Sequence, residues 1–114
     1  MKELREKLRS FAGEREWETF HSPKNLAMAL SVEVAEIVEH FQWLTEEQSM
    51  PLSLSPEKRE KIAREIGDVL IYLTRLADVL DIDPLEAASR KMAINAARYP
   101  VDKSKGRSSK HNEL

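Results

Sequence analysis

Two pairs of carboxylates have the residue types and the spacing for metal chemistry. Glu33 and Glu36 form one i, i+3 pair, and Glu65 and Asp68 form another. Residues three apart share a face of a helix. The chain contains seven acidic i, i+3 pairs among its 20 acidic residues, so the spacing alone distinguishes nothing. Direction does. At roughly 100° per residue, Leu26, Leu30, Val34, Ile37, Phe41 and Leu44 fall within an arc of about 80°, with Glu33 about 20° and Glu36 about 80° outside it. In the later segment Ile62, Ile66, Val69, Leu70, Leu73, Leu76 and Leu80 define an inner face. Glu65 points between Leu76 and Val79, and Asp68 lies beyond Val79. A carboxylate at the margin of a core loses hydration, which is costly unless it is paired or bound to a metal. Four hard oxygen donors with no His or Cys among them suit Mg²⁺, whose octahedron water and substrate phosphate would complete. The competing reading is neutralisation by Lys58, Lys61 and Arg64. These reach one or two of the acids, whereas Glu33 and Glu36 have no basic i±3 or i±4 neighbour except His40.

A second constellation is basic. Lys91, Asn95 and Arg98 share one face ahead of Tyr99 and Pro100. Arg98 can fork two phosphate oxygens, Lys91 supplies a point charge, and Asn95 donates without adding charge. The same pattern also describes a solvated basic face. A third constellation is aromatic: Trp17, Phe20 and His21 lie in one short stretch, and Trp43 follows later. Flat rings stack on a nucleobase and an imidazole reads its edge; alternatively these rings are ordinary core beneath a loop. No Walker A, G-x-G-x-x-G, H-E-x-x-H or G-x-S-x-G pattern is present, which excludes the phosphate-loop and triad chemistries.

Helices must position these groups. Three glycines leave little room for hairpins, and the apolar residues recur at helical spacing. A first helix is expected over residues 2 to 13, followed by the aromatic connector EREWETFH. Ser22–Pro23 starts a second helix that runs to about Leu44, and TEEQSMPLSLS is a loop. Ser55–Pro56 starts a third helix ending near Leu80. Asp83, Pro84 and Glu86 form a capping box for a fourth, which stops before Pro100. The polar stretch from 101 to 114 is expected to be a mobile tail. The reading is all-α, a four-helix bundle in a single domain of 114 residues. Two long amphipathic helices in so short a chain bury themselves better against a second copy, so a homo-oligomer is expected. A net charge of −2 offers no long-range attraction to nucleic acid or to an anionic membrane, and no window approaches a membrane span. The absence of cysteine excludes disulfides and thiolate chemistry and fits a cytoplasmic protein.

E-x-x-E at Glu33 and Glu36, E-x-x-D at Glu65 and Asp68, and K-x-x-x-N-x-x-R-Y-P from Lys91 to Pro100 together resemble the MazG-like all-α nucleoside triphosphate pyrophosphohydrolases. REWETFHSPKNLAMALSVEVAEIVEHFQW and EIGDVLIYL are similar to the dCTP pyrophosphatase branch. The resemblance implies that Glu33, Glu36, Glu65 and Asp68 hold Mg²⁺. It implies that Trp17, Glu18, Thr19, Phe20 and His21, with Trp43 and Tyr72, contact the nucleotide. Dimers or dimers of dimers with sites between subunits are also implied, hence a homodimer or homotetramer. The chain departs from close relatives at Leu8, where they carry a histidine. The reaction expected is attack of water on the α-phosphorus of dCTP or a modified dCTP, giving monophosphate and pyrophosphate. Glu36 is the candidate to orient or deprotonate that water. The rival readings are another substrate (dUTP, an oxidised nucleotide or a phosphoribosyl nucleotide) or a non-enzymatic helical interaction module.

Overall fold

Three Ser-Pro or Asp-Pro dipeptides start three of the four helices. Proline at the first helical position loses nothing, because its missing N–H would have had no intrahelical acceptor. The computed structural model describes residues 1–99 and Val101; Pro100 and the rest of the expected tail lie outside the described residues. The helices are α1 (Lys2–Glu14), α2 (Pro23–Phe41), α3 (Pro56–Val79) and α4 (Pro84–Arg98), and no strand occurs among the described residues. Ser22 Oγ accepts from the Asn25 N–H and Ser55 Oγ from the Lys58 N–H, both at 3.1 Å. Asp83 Oδ1 accepts from the N–H groups of Leu85 at 2.9 Å and Glu86 at 3.2 Å. The reciprocal half of the expected capping box does not form, because the Glu86 carboxylate pairs with Arg90 one turn on.

Helix α2 ends at Phe41 rather than at the expected Leu44. The reason is a capping box that the sequence reading passed over. The Thr45 N–H donates to Gln48 Oε1 at 2.9 Å, and the Gln48 N–H donates to Thr45 Oγ1 at 3.1 Å. This pair starts a 3₁₀ turn (Glu47–Ser49) and halts the preceding helix. A second 3₁₀ turn (Pro51–Ser53) follows, so the expected loop is two tight turns.

The described chain divides into two units, Met1–Asp81 and the segment from Ile82 onward. Within the first, α2 packs along α3 and α1 packs on α3. Leu26, at 1% exposure, is the most deeply buried large side chain, and Ala12, Ile62 and Ala77 complete the buried apolar set. The expected inner face of α2 holds except at Val34, whereas that of α3 is turned somewhat away from the actual one. Val34, Ile66, Leu70, Leu73 and Leu80 are exposed, while Ala29, Leu30, Glu33, Glu36, Ile37, His40 and Phe41 are the partly buried positions of α2. Helix α3 carries apolar residues on more than one stripe, so hydropathy could not say which of them meets α2. In the second unit, α4 presents Lys91, Asn95 and Arg98 as exposed side chains.

The end of α1 sets the direction of the aromatic connector. Glu16 adopts a left-handed φ of 54°; its N–H donates to Gly13 O at 3.1 Å and the Trp17 N–H to Ala12 O at 2.9 Å. These two bonds define a Schellman motif with Glu16 at the position that glycine usually takes. The apolar contact that accompanies the motif is present: Trp17 meets Phe11 edge-on, ring centroids 5.6 Å apart. The Arg15 guanidinium caps the pair, 3.6 Å from the Phe11 centroid. A left-handed non-glycine residue carries backbone strain, so Glu16→Gly is expected to raise unfolding free energy by up to about 1 kcal/mol. Urea denaturation checks this; a loss of stability would mean that the Glu16 side chain contributes more than its backbone costs.

Candidate active site

The four carboxylates singled out by spacing come together. Glu33 and Glu36 from α2 and Glu65 and Asp68 from α3 each offer an oxygen within 4.8 Å of the others. The three glutamates are partly buried. Neither Lys58, Lys61 nor Arg64 forms an ion pair with the cluster among the described residues. Arg64 turns to Glu60 instead, at 3.5 Å. The nearest cationic candidate is His40, whose Nε2 lies 3.9 Å from Glu65 Oε1, too far for a hydrogen bond. Glu33 Oε2 and Glu65 Oε2 are buried oxygens with no hydrogen-bond partner.

The electrostatic consequence is a set of acids that resist ionisation. Hydrogen bonding to Glu36, then loss of hydration, then the charges of Glu36, Asp68 and Glu33 push the Glu65 carboxyl up to about 7. Glu33 is also held above the ordinary glutamate range, first by burial, then by its hydrogen bond to Glu36 and the charges of Glu36 and Asp68. Like charges crowded into a partly desolvated space favour a shared proton or a bound cation. An oxygen-only donor set with two orphaned oxygens fits a hard divalent ion such as Mg²⁺.

Beside this cluster lies a cavity of about 320 Å³, and Asp68 belongs to both. Its walls include Leu8 and Phe11 from α1, Trp17 and His21 from the connector, and Tyr72 and Arg75 from α3. Tyr72 is one helical turn beyond Asp68, so both reach the same space. Trp17 and His21 meet edge-on with centroids 6.4 Å apart. Between them, Glu18–Phe20 forms a 3₁₀ turn rather than an irregular loop. Asn25 Nδ2 donates to Phe20 O at 3.2 Å and ties this turn to the start of α2. Phe20 and Thr19 line a different depression with Gly13, Glu16 and Glu18. Trp43, 86% exposed, is not among the cavity's lining residues. Lys91, Asn95, Arg98 and Tyr99 belong to the second unit; the Tyr99 N–H closes α4 on Asn95 O at 2.8 Å.

Sequence reasoning missed three charged residues beside the cavity. Arg9 Nε donates to Asp78 Oδ2 at 2.7 Å and its Nη2 to Oδ1 at 2.5 Å. Arg75, only 8% exposed, donates from Nη1 to Asp78 Oδ2 at 3.3 Å and from Nε to His21 Nδ1 at 3.2 Å. The hydrogen bond from Arg9 is the main cause holding the Asp78 carboxyl below its usual range. Burial, then the Arg75 charge, lowers His21, with Glu18 opposing. The available signal was an arginine inside the apolar run IYLTRLADVL with an aspartate three residues on; the partner in α1 left no local trace.

Glu65 and Glu33 have folded-state values above those of the unfolded chain. The contribution of Glu65 is therefore intact below about pH 4.5 and is lost as pH rises through about 7, and Glu33 acts in the same direction. In EDTA, Tm is expected to fall between pH 5 and pH 8, and Glu65→Gln should flatten that fall. Identical pH slopes for the two proteins in thermal melts would mean that the carboxylates do not interact as described.

A family model described as the MazG-like family matches residues 28–114. The dCTP pyrophosphatase 1 of Bos taurus is 41% identical over 114 residues, covering 100% of this chain and 68% of the relative. That of Homo sapiens is 42% identical, covering 100% of this chain and 67% of the relative. The crystal structure of a pyrophosphatase from Archaeoglobus fulgidus DSM 4304 superposes with a TM-score of 0.81 at 45% identity, over 88% of this chain and 92% of that one. The family match takes in both carboxylate pairs, and likeness to the curated relatives extends through α1 and the connector: the chain belongs to the MazG-like family.

Proposed function

We propose that this protein hydrolyses dCTP, or a modified dCTP, to the monophosphate and pyrophosphate with the aid of Mg²⁺. The broader class is carried by its relatives: the chain is a nucleoside triphosphate pyrophosphohydrolase. One observation carries the finer reading, the sharing of Asp68 between a four-carboxylate cluster and an aromatic cavity of about 320 Å³. That volume is in the range of small-ligand sites. It supports a nucleoside in the cavity with its phosphates directed to the carboxylates.

Mg²⁺ held by Glu33, Glu36, Glu65 and Asp68 would draw off the charge of the departing pyrophosphate. Glu36 orients the attacking water and accepts its proton; in support, it interacts with both Glu33 and Glu65 and so faces both carboxylate pairs. Trp17 walls the base, His21 stands at its edge, and the Tyr72 hydroxyl serves the sugar or phosphate. Glu18, Thr19, Phe20 and Trp43 complete the nucleotide contacts, and Lys91, Asn95, Arg98 and Tyr99 bind the phosphate chain. A homodimer or homotetramer is the expected assembly, supported by the exposed apolar residues Val32, Val38, Ile66 and Leu70. No helix among the described residues is long and apolar enough to cross a membrane, and we read the enzyme as cytoplasmic. A different base is the second reading, favoured by Leu8, which gives the cavity an apolar wall.

Pyrophosphate release measured across nucleoside triphosphates tests the substrate; the same rate on every one would defeat the dCTP assignment. Glu65→Gln and Asp68→Asn are expected to abolish release while leaving helical circular dichroism intact. Undiminished turnover in both would remove the metal-site reading. Mg²⁺ should raise the wild-type Tm and not that of the variants, since a ligand of the native state alone stabilises it. Arg98→Ala is expected to weaken binding of dCTP about tenfold more than that of dCMP, since the β and γ phosphates are the groups it loses. Equal weakening of both ligands, read by calorimetry, would make Arg98 a structural residue.

A further inference from the structure

A guanidinium can only donate hydrogen bonds, so the contact from Arg75 Nε to His21 Nδ1 requires Nδ1 to be the accepting nitrogen. The ring proton then sits on Nε2 of a side chain that lines the cavity. Arg75 is not free to turn away. Its Nη1 is held by Asp78, and Asp78 is clamped through both oxygens by Arg9. The network thus runs from α1 through α3 to the connector, with Arg75 and Asp78 almost wholly enclosed. Two of the five N–H donors of Arg75 are used by these partners, and the guanidinium lines the cavity. Of the other walls, Leu8, Phe11, Ala12 and Ile71 offer no side-chain hydrogen bond, Trp17 and Tyr72 carry one polar group each, and Asp68 belongs to the carboxylate cluster.

We propose that Arg75 is a positioning residue for base selection: clamped by Asp78, it holds His21 with its proton on Nε2, so that the cavity wall presents N–H donors to the edge of the base. This rests on the nucleotide reading above and deepens it. Cytosine carries two adjacent acceptors, O2 and N3, which such a wall satisfies. Uracil and thymine carry N3–H in place of the second acceptor; donor would face donor, leaving a polar group unpaired inside the cavity. Arg75 therefore acts through His21 and by its own remaining donors, and Asp78 and Arg9 act through Arg75.

The test has two readouts on wild type, Arg75→Met and Arg75→Lys. Long-range ¹H–¹⁵N correlations of the His21 ring report its tautomer without reference to activity. The ratio of kcat/KM for dCTP over dUTP reports selection. Wild type is expected to show a single Nε2–H tautomer and to prefer dCTP. Arg75→Met should give mixed tautomers and lower the ratio about tenfold or more, chiefly through a higher KM for dCTP. Arg75→Lys, which keeps a charged donor, should restore much of both, an outcome that general loss of packing would not produce. An unchanged tautomer in Arg75→Met overturns the positioning role, and a changed tautomer with an unchanged ratio overturns the link to base selection. Wild-type enzyme that releases pyrophosphate equally from dCTP and dUTP would instead defeat the substrate reading, and the tautomer would still decide whether Arg75 positions His21.

Discussion

Mutual repulsion among Glu33, Glu36, Glu65 and Asp68 is the constraint around which the α2–α3 pair is arranged. Four carboxylate oxygens within 4.8 Å of one another, three of the side chains partly buried, oppose the very contact that brings them together. What holds the helices against that repulsion lies at its two ends. Leu26 is buried near the start of α2, Ile62 near the start of α3, and Ser-Pro caps fix both helices where the chain enters them. The cost is left unrelieved by neighbouring lysines and arginines, which turn to other partners or to solvent. A site in that condition favours whatever brings positive charge to it, first protons and then a hard cation with phosphate attached.

The charge on the other side of the cavity is handled in the opposite way. Asp78 is met by two arginines, and one of those arginines is in turn occupied by a histidine. Every partner there is supplied by the chain. Arg75 lies seven residues, about two helical turns, beyond Asp68, so the compensated network and the uncompensated cluster open into one space from the same helix. Groups made rigid by internal partners share that space with carboxylates left without one.

Much of this was legible in the sequence, for identifiable reasons. Helix starts were plain because Ser22–Pro23, Ser55–Pro56 and Asp83–Pro84 are local signals with local causes. The carboxylate cluster was legible because each pair is fixed by helical period and the two helices that carry the pairs follow one another in the chain and pack together. Helix faces were less so: the exposure of Val34 and Ile66 depends on which of several apolar stripes finds a neighbour, and hydropathy is blind to that. The end of α2 was set by Thr45 and Gln48, a capping pair readable in principle and obscured by the apolar Leu44. Arg9 and Asp78 are 69 positions apart, and no spacing rule connects them. Trp17 was marked as a base-facing ring, but its direction comes from Glu16 adopting a left-handed backbone, which a glutamate does not advertise.

Asp68 and Tyr72 stand on successive turns of an unbroken helix, about 6 Å apart along its axis. If, as proposed, Asp68 serves the phosphates and Tyr72 the nucleoside, α3 would act as a ruler laid along the substrate. A helix interior neither stretches nor compresses without breaking hydrogen bonds, so the axial separation between the Asp68 and Tyr72 positions is fixed. On that proposal length would be measured as well as base. A molecule whose triphosphate is set further from its ring system would fill the cavity only by moving its α-phosphorus out of register with the carboxylates.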